Sequence, residues 1–287
     1  MPNNLPPLAV TGATGALGGM VAQLLAEQGI PLRLLARHTA RVPQQPDTPT
    51  FAVSYADKEH AERALRGTQT LFMVSAAENP YRAQDQRTFV DAAVDAGVRH
   101  IVYTSFMGAS ENDVFTLGRD HWDTEQYIRE RGLEFTFLRD AFYQDILPSF
   151  VGRDGVIRGP AGDGRFAPVA RTDVARAAAR ILAAPVPHAR RTYTLTGPQT
   201  LSMSAVAEIL SRVTGQHITY YAESLDEAVE SRLAAGASQW QALAWATSYA
   251  AIATGEMDRV TDDVAELTGT APVSLEDYLR SDGKSSS

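Results

Sequence analysis

The stretch "VTGATGALGG", Val10 to Gly19, decides how the rest of the chain is read. A short apolar run, Leu8–Thr11, precedes it. A helical pattern, Ala16–Gln28, follows and stops at Gly29. Glycines stand at positions 12, 15 and 18, between strand and helix. Gly12 lets the chain turn tightly after the strand. Gly15 lacks a Cβ, so a pyrophosphate can approach the backbone. Gly18 lets the helix pack close to the strand. The helix start then offers free N–H groups and the positive end of the helix dipole. This context points to a dinucleotide-binding turn. A plain tight turn is the alternative.

Working outward, Pro31–Ala36, Thr50–Ser54, Thr70–Val74, His100–Thr104 and Glu134–Leu138 read as strands. Lys58–Arg66, Ala83–Ala96 and Arg119–Arg131 read as helices, each followed by a glycine, the usual stop signal. Near-continuous apolar strands alternating with helices imply a parallel sheet covered on both faces. After about Phe150 the rhythm changes. "GRDGVIRGPAGDGRFAPV" is a glycine-rich loop with short strands. Arg171–Ala184 and Ser202–Thr214 read as helices, Arg191–Leu195 and Ile218–Tyr221 as strands, and Leu225–Leu267 as mostly helical. The expected fold is α/β: a Rossmann-type doubly wound parallel sheet with a smaller mixed α/β C-terminal lobe. Residues 1–150 form the nucleotide-binding domain, with 171–195 returning to it. Residues 151–280 form a lobe covering the substrate, and 281–287 a disordered tail.

Bulk composition narrows the function. The 287 residues carry a net charge of −8 with no long basic run, which argues against a nucleic-acid surface. No run of about 18 apolar residues suggests a membrane span. The N-terminal "MPNNLPPLAV" lacks the basic and apolar regions of a signal peptide. The chain has no cysteine, which excludes disulfides and thiolate chemistry and fits a cytoplasmic protein. The six histidines show no metal-ligand spacing, so no metal is expected.

The residue closing the second strand selects the dinucleotide. An acid would bind the ribose 2′-hydroxyl of NAD, and an arginine the 2′-phosphate of NADP. "PLRLLARHTAR" offers no acid but ends on Arg37, with Arg41 a turn later. A guanidinium fork suits phosphate, so NADPH is the favoured cofactor.

"VTGATGALGG", "GVRHIVYTSF", "DHWDTEQYI", "FTFLRDAFYQD" and "GPAGDGRFAPVARTDVARAAARIL" together resemble the NmrA-like atypical short-chain dehydrogenase/reductases. Within these the chain is most similar to the bacterial quinone oxidoreductase and triphenylmethane reductase branch. The likeness extends into "LSMSAVAEILSRVTGQHITY" and "GEMDRVTDDVAELTG". It implies NADPH as hydride donor, held by Gly12, Thr14, Gly15, Ala16 and Leu17, with Arg37 on the 2′-phosphate. It implies that Ser75, Ala76 and Ala77 run along the cofactor and that Thr104, Ser105 and Phe106 border the nicotinamide. Phe106, Phe142 and Tyr143 become candidate substrate contacts. Two positions depart from the pattern. Ser54 stands where an acid is usual near the adenine. Asp140 replaces an asparagine that faces the ligand.

The wider superfamily uses a tyrosine with a lysine four residues later. Lys58 and Lys284 are the only lysines among 26 basic residues, and neither completes that pair. The corresponding helix carries His121, Thr124 and Glu125 on one face. His121 and Asp140 are the candidate catalytic residues, and a structural hydrogen-bonding role for His121 weighs equally. Quinones accept hydride readily, so positioning would do most of the work. Two functions remain open. One is an NADPH-dependent reductase of quinones or similar flat, electron-poor small molecules. The other is a non-catalytic NADP(H)-binding redox sensor acting on a protein partner. A homodimer is left open.

Overall fold

The computed structural model describes residues 5–43 and 48–285. In chain order come β1 (Leu8–Thr11), α1 (Ala16–Glu27), β2 (Leu32–Ala36), β3 (Thr50–Ala52), α2 (Lys58–Leu65), β4 (Thr70–Met73), α3 (Arg82–Asp95), β5 (His100–Phe106), α4 (Thr116–Glu130) and β6 (Glu134–Asp140). The chain continues with β7 (Val156–Gly159), β8 (Arg165–Phe166), α5 (Arg171–Ala183), β9 (Arg191–Leu195), β10 (Leu201–Ser202), α6 (Met203–Thr214) and β11 (Thr219–Ala222). Four helices close it: α7 (Leu225–Ala234), α8 (Gln239–Ala253), α9 (Asp263–Thr268) and α10 (Leu275–Ser285).

Seven strands form one sheet in the order β3-β2-β1-β4-β5-β6-β9. β1 runs parallel to both neighbours, with Leu8 opposite Leu32 of β2 and Thr70 of β4. β3 on β2 and β5 on β4 are parallel as well. The winding therefore reverses after β3, and a crevice opens outside the carboxyl ends of β1 and β4. All residues of β1, β2 and β5 are buried, as expected of strands covered on both faces. Helices α1 to α4 give way to Gly29, Gly67, Gly97 and Gly132, each with positive φ.

The chain divides into two compact units. The first holds residues up to 105, 120–139 and 174–193. Its core packs Leu35, Leu71, Met73, Ile101 and Tyr103 of the sheet with Ala61 and Leu65 of α2 and Phe89, Val90 and Ala93 of α3. The second holds 106–119, 140–173 and everything from 194. It contains the parallel pair β7–β11 and the antiparallel pair β8–β10. Its core gathers Phe166, Met203, Val206, Leu210, Ile252 and Met257. Against the expected boundary at 150 with 171–195 returning, the first unit stops at 105, resumes for 120–139 and returns for 174–193. The segments leaving β5 and β6 carry Phe106, Met107, Phe115, Ala141 and Phe142, and these apolar side chains belong to the second core.

Helix α6 starts where Ser202 accepts the Ala205 N–H at 3.2 Å, an ordinary N-cap. The C-terminal stretch read as a disordered tail from 281 is different. Helix α10 runs through Ser285, and Ser274 accepts the Asp277 N–H at its start. Residues 286–287 lie outside the described residues. Among the described residues, no helix is long and apolar enough to cross a membrane.

One buried cation ties the first unit together. Arg33 of β2 is fully buried and donates to the carbonyls of Pro6, Ala64 and Arg66 at 2.6–2.9 Å. Replacing it leaves those oxygens without their donor, each worth about 1–3 kcal/mol where buried. Arg33→Leu is expected to lower unfolding stability by about 3 kcal/mol or more in urea titration. A loss below about 0.5 kcal/mol, the level of ordinary surface substitutions, would contradict this role.

Candidate functional site

The turn after β1 is shaped by what cannot fit beside it. Gly12 has φ +64°, and a Cβ there would sit 3.2 Å from Val74 Cβ. A Cβ on Gly18 would overlap the carbonyl oxygens of Thr11 and Gly12, so α1 can pack this close only without a side chain. The Gly15 N–H closes the turn onto Gly12 O at 2.8 Å. No side chain caps α1, whose N-cap is Gly15. Its first N–H groups are thus available to an anion.

This turn opens on a cavity of about 300 Å³ within the first unit. One wall is Thr11, Gly12, Thr14 and Gly15. Another is Leu35, Ala36 and Arg37 at the end of β2, with Val53, Ser54 and Tyr55 after β3. The last is Val74–Ala77 after β4, with Asn79 and Asp85. Seven of the expected cofactor residues meet here: Gly12, Thr14, Gly15, Arg37, Ser75, Ala76 and Ala77. Ala16 lines a neighbouring cavity instead, together with Arg41. Leu17 is buried in α1 and can offer a ligand only its backbone. Asp57 is the N-cap of α2, accepting the His60 N–H at 3.1 Å.

The ends of the strands are stitched by groups that the sequence did not flag. Thr11 Oγ1 accepts the Val74 N–H at 2.8 Å and lies 2.7 Å from Tyr55 Oη. Tyr55 donates to Val74 O at 2.6 Å, and its ring stacks on Phe89 at 4.1 Å. Burial pushes the Tyr55 phenol up, so it stays protonated and keeps donating.

The segment after β4 is pinned three times. Ser75 N–H donates to Thr104 Oγ1 at 2.7 Å, and Ala76 N–H to Gln86 Oε1 at 3.0 Å. Arg82 Nε donates to Ala76 O at 2.9 Å. Thr104 and Ser105 do not line the cavity. Thr104 supports the wall from behind, and the buried Ser105 donates to Glu125 at 2.6 Å. Glu125, fully buried, also takes a two-pronged bond from Arg139 at 2.8 and 2.6 Å.

His121 belongs to the same buried network. Arg82 Nη2 lies 2.9 Å from His121 Nε2, and Tyr103 Oη lies 3.0 Å from His121 Nδ1. A guanidinium can only donate, so Nε2 accepts and the imidazole proton sits on Nδ1. Bonds then run in one direction: His121 to Tyr103, Tyr103 to Gln86 at 3.1 Å, Gln86 to Thr124 at 2.8 Å, and Thr124 to Asp120 O at 2.8 Å. Burial first, and then the charges of Arg82 and Arg139, hold the His121 pKa well below its usual value. The imidazole is therefore neutral near pH 7, with both nitrogens engaged, which is a positioning arrangement. The sequence carried one usable signal for this network. Arg82 and Gln86 share the face of α3 that Phe89, Val90 and Ala93 bury, and polar groups on such a face need partners.

Asp140, Phe142, Tyr143 and Phe106 lie in the second unit. Tyr143 donates to Asp140 Oδ2 at 2.5 Å. The Arg171 guanidinium stacks on the Tyr143 ring at 4.4 Å and pairs with Asp145. Burial lifts the Asp140 carboxyl to about 7, although the Tyr143 bond and the Arg171 charge pull it back. Phe106 and Phe142 pack edge-on at 5.9 Å within the core, next to Phe115 and Phe166. Their contacts are those of packing, and Tyr143 is the half-exposed member.

Two measurements follow from this geometry. Gln86→Leu removes the acceptor for Ala76 N–H, and binding of a dinucleotide should weaken about tenfold, or 1.4 kcal/mol, by titration calorimetry. Unchanged affinity would show that the pinning does not shape the cavity. For Asp140, the folded value of about 7 exceeds the ordinary 3.8, so the folded chain holds a proton that the unfolded chain releases. That contribution is complete below the unfolded value and is lost as pH rises through about 7. Asp140→Asn should therefore gain stability relative to the parent progressively from about pH 4 to about 7, by at most about 1.4 kcal/mol per unit, with no further gain above about pH 8. A pH-independent difference would contradict a buried, titrating carboxyl.

Residues 7–279 match the model of the NmrA-like family. Quinone oxidoreductase 2 of Escherichia coli (strain K12) is 33% identical over 77% of this chain and 78% of its own length. The (4-alkanoyl-5-oxo-2,5-dihydrofuran-3-yl)methyl phosphate reductase of Streptomyces griseus is 33% identical over 91% of this chain and 93% of its own. The structure of Citrobacter sp. triphenylmethane reductase complexed with NADP(H) superposes with a TM-score of 0.83 at 31% identity, covering 96% of this chain and 99% of that one. With a match across almost its full length and a seven-stranded sheet that opens on a glycine-shaped crevice, the chain belongs to the NmrA-like family.

Proposed function

We propose that this protein is a cytoplasmic NADPH-dependent reductase that transfers hydride to a quinone or a similar flat, electron-poor small molecule. The observation that carries this reading is the glycine cradle, where Gly12 turns the chain with positive φ and a Cβ on Gly18 would collide with the backbone, opening on a cavity that Arg37 lines. When bound, NADPH supplies the hydride. The chain's own residues do the rest. The uncapped start of α1 meets the pyrophosphate, and Arg37 forks onto the 2′-phosphate. Ser75–Ala77 form a wall whose backbone is fixed by Thr104, Gln86 and Arg82. Similar proteins are named as a quinone oxidoreductase, a (4-alkanoyl-5-oxo-2,5-dihydrofuran-3-yl)methyl phosphate reductase and a triphenylmethane reductase, and a quinone or a triarylmethane cation is an acceptor that takes hydride at an electron-poor centre. Such acceptors need little acid help, which suits a chain without a tyrosine–lysine pair. Of the two titratable candidates, His121 acts as a positioning residue, and Asp140, whose carboxyl burial lifts to about 7, is the group able to exchange a proton near neutrality.

The test is anaerobic oxidation of NADPH, and in parallel NADH, with benzoquinones, naphthoquinones and a triarylmethane dye. Turnover with NADPH is expected for at least one acceptor. Arg37→Glu should lower kcat/KM for NADPH about 10- to 100-fold, the value of a charge-assisted phosphate contact, and that for NADH by less than about threefold. NADPH that binds but stays reduced with every acceptor would move the assignment to a redox sensor.

A further inference from the structure

The cavity beside the glycine turn contains one charge of the wrong sign. Among the described residues lining it, Arg37 is the cation and Asp85 the anion. A dinucleotide with a pyrophosphate and a 2′-phosphate is strongly anionic. A carboxylate on the wall of its cavity opposes binding unless it faces a hydrogen-bond donor on the ligand. Resting on the reading of this crevice as the NADPH site, we propose that Asp85 accepts a hydrogen bond from the exocyclic amine of the adenine and selects that base over others.

Three observations lead there. First, the chemistry of the ligand leaves few donors at its adenosine end. The 2′-oxygen is esterified in NADPH, so the ribose keeps its 3′-hydroxyl and the base keeps its amine. Second, the cavity is partitioned. The glycine turn and Arg37 provide the phosphate-binding groups, whereas Leu35 and Val53 offer apolar surface for a flat base, and Asp85 comes from the separate wall formed by the start of α3. Third, Asp85 is held in place. Asn79 Nδ2 donates to Asp85 Oδ2 at 3.3 Å and to Ala77 O at 3.2 Å, while Asn79 Oδ1 accepts the Tyr81 N–H at 2.8 Å. An acid in the first turn of a helix is favourable by itself. That preference needs neither a cavity nor an asparagine clamp. The clamp fixes the carboxylate at the ligand-facing wall, and selection between an amine and a carbonyl on the base follows.

The experiment titrates the full-length protein with NADPH and with its hypoxanthine analogue, in which a carbonyl replaces the amine. Binding is followed by calorimetry, and thermal melting confirms the fold of each variant. The parent protein should prefer NADPH by about tenfold or more, the scale of a bond to a charged acceptor. Asp85→Asn should shrink that preference to about twofold or less, chiefly by weakening NADPH. Asn79→Ala should shift it the same way by a smaller factor, which keeps the test decisive if Asp85→Asn folds poorly. Equal affinity of the parent for both nucleotides would overturn the proposal. So would a full preference retained by Asp85→Asn, or tighter binding of both nucleotides by that variant, the mark of a carboxylate that only repels. In each of these results NADPH still binds, so the cofactor assignment survives. If neither nucleotide binds the parent, the proposed function falls together with this inference.

Discussion

The closeness of α1 to the end of β1 is the constraint on which the rest depends. At Gly18 the helix rests against the carbonyl oxygens of Thr11 and Gly12, where no Cβ can go. That contact aims the uncapped helix start at the crevice between β1 and β4. A side chain there would push the helix away and displace the N–H groups from where an anion would meet them. The parallel register of β1 with both β2 and β4 then brings Arg37 and Ser75–Ala77 to the same cavity. The shape of this cavity is therefore a consequence of strand order and of one backbone approach.

Behind the cavity wall lies a continuous buried hydrogen-bond network, in which Arg82, Gln86, Tyr103, His121 and Thr124 satisfy one another. Buried polar groups cost stability when unpaired, and a complete network converts that cost into rigidity. Here the rigid element is the backbone of Ala76, held at both its N–H and its carbonyl. A neutral His121 in the middle of such a network keeps its neighbours in register. A cation there would face Arg82 with no lone pair to offer. The helical histidine is thus part of this buried network, while Asp140, whose carboxyl burial lifts to about 7 and which accepts the Tyr143 hydroxyl, lies in the second unit.

Much of this was legible in the sequence, for reasons that are local. Strands covered on both faces are largely apolar, so "LAVT" and "HIVYT" declare themselves. Glycines mark helix ends, and Ser202 marks a helix start. The glycine turn announces its own geometry, and Arg37 is a fixed distance along the chain from it. What was not legible depends on distant pairings. The face carrying His121, Thr124 and Glu125 could be read, but Arg82 lies 39 residues away and Ser105 on another strand. Asp85 and Asn79 look like ordinary loop and helix-start residues until the cavity is seen. Where the first unit gives way to the second after β5 and β6 was not legible, because the phenylalanines and alanine there give no hint of which core they enter.

The central claim is that this fold moves hydride from NADPH held by the glycine cradle to an electron-poor acceptor. The most direct measurement uses NADPH carrying deuterium on one face of nicotinamide C4 and a triarylmethane dye cation as acceptor, with mass spectrometry of the reduced dye. The account predicts that one of the two labelled faces delivers its deuterium to the central carbon of the dye and the other delivers none. Label appearing from both faces alike, or dye left unreduced while NADPH is bound, would contradict it.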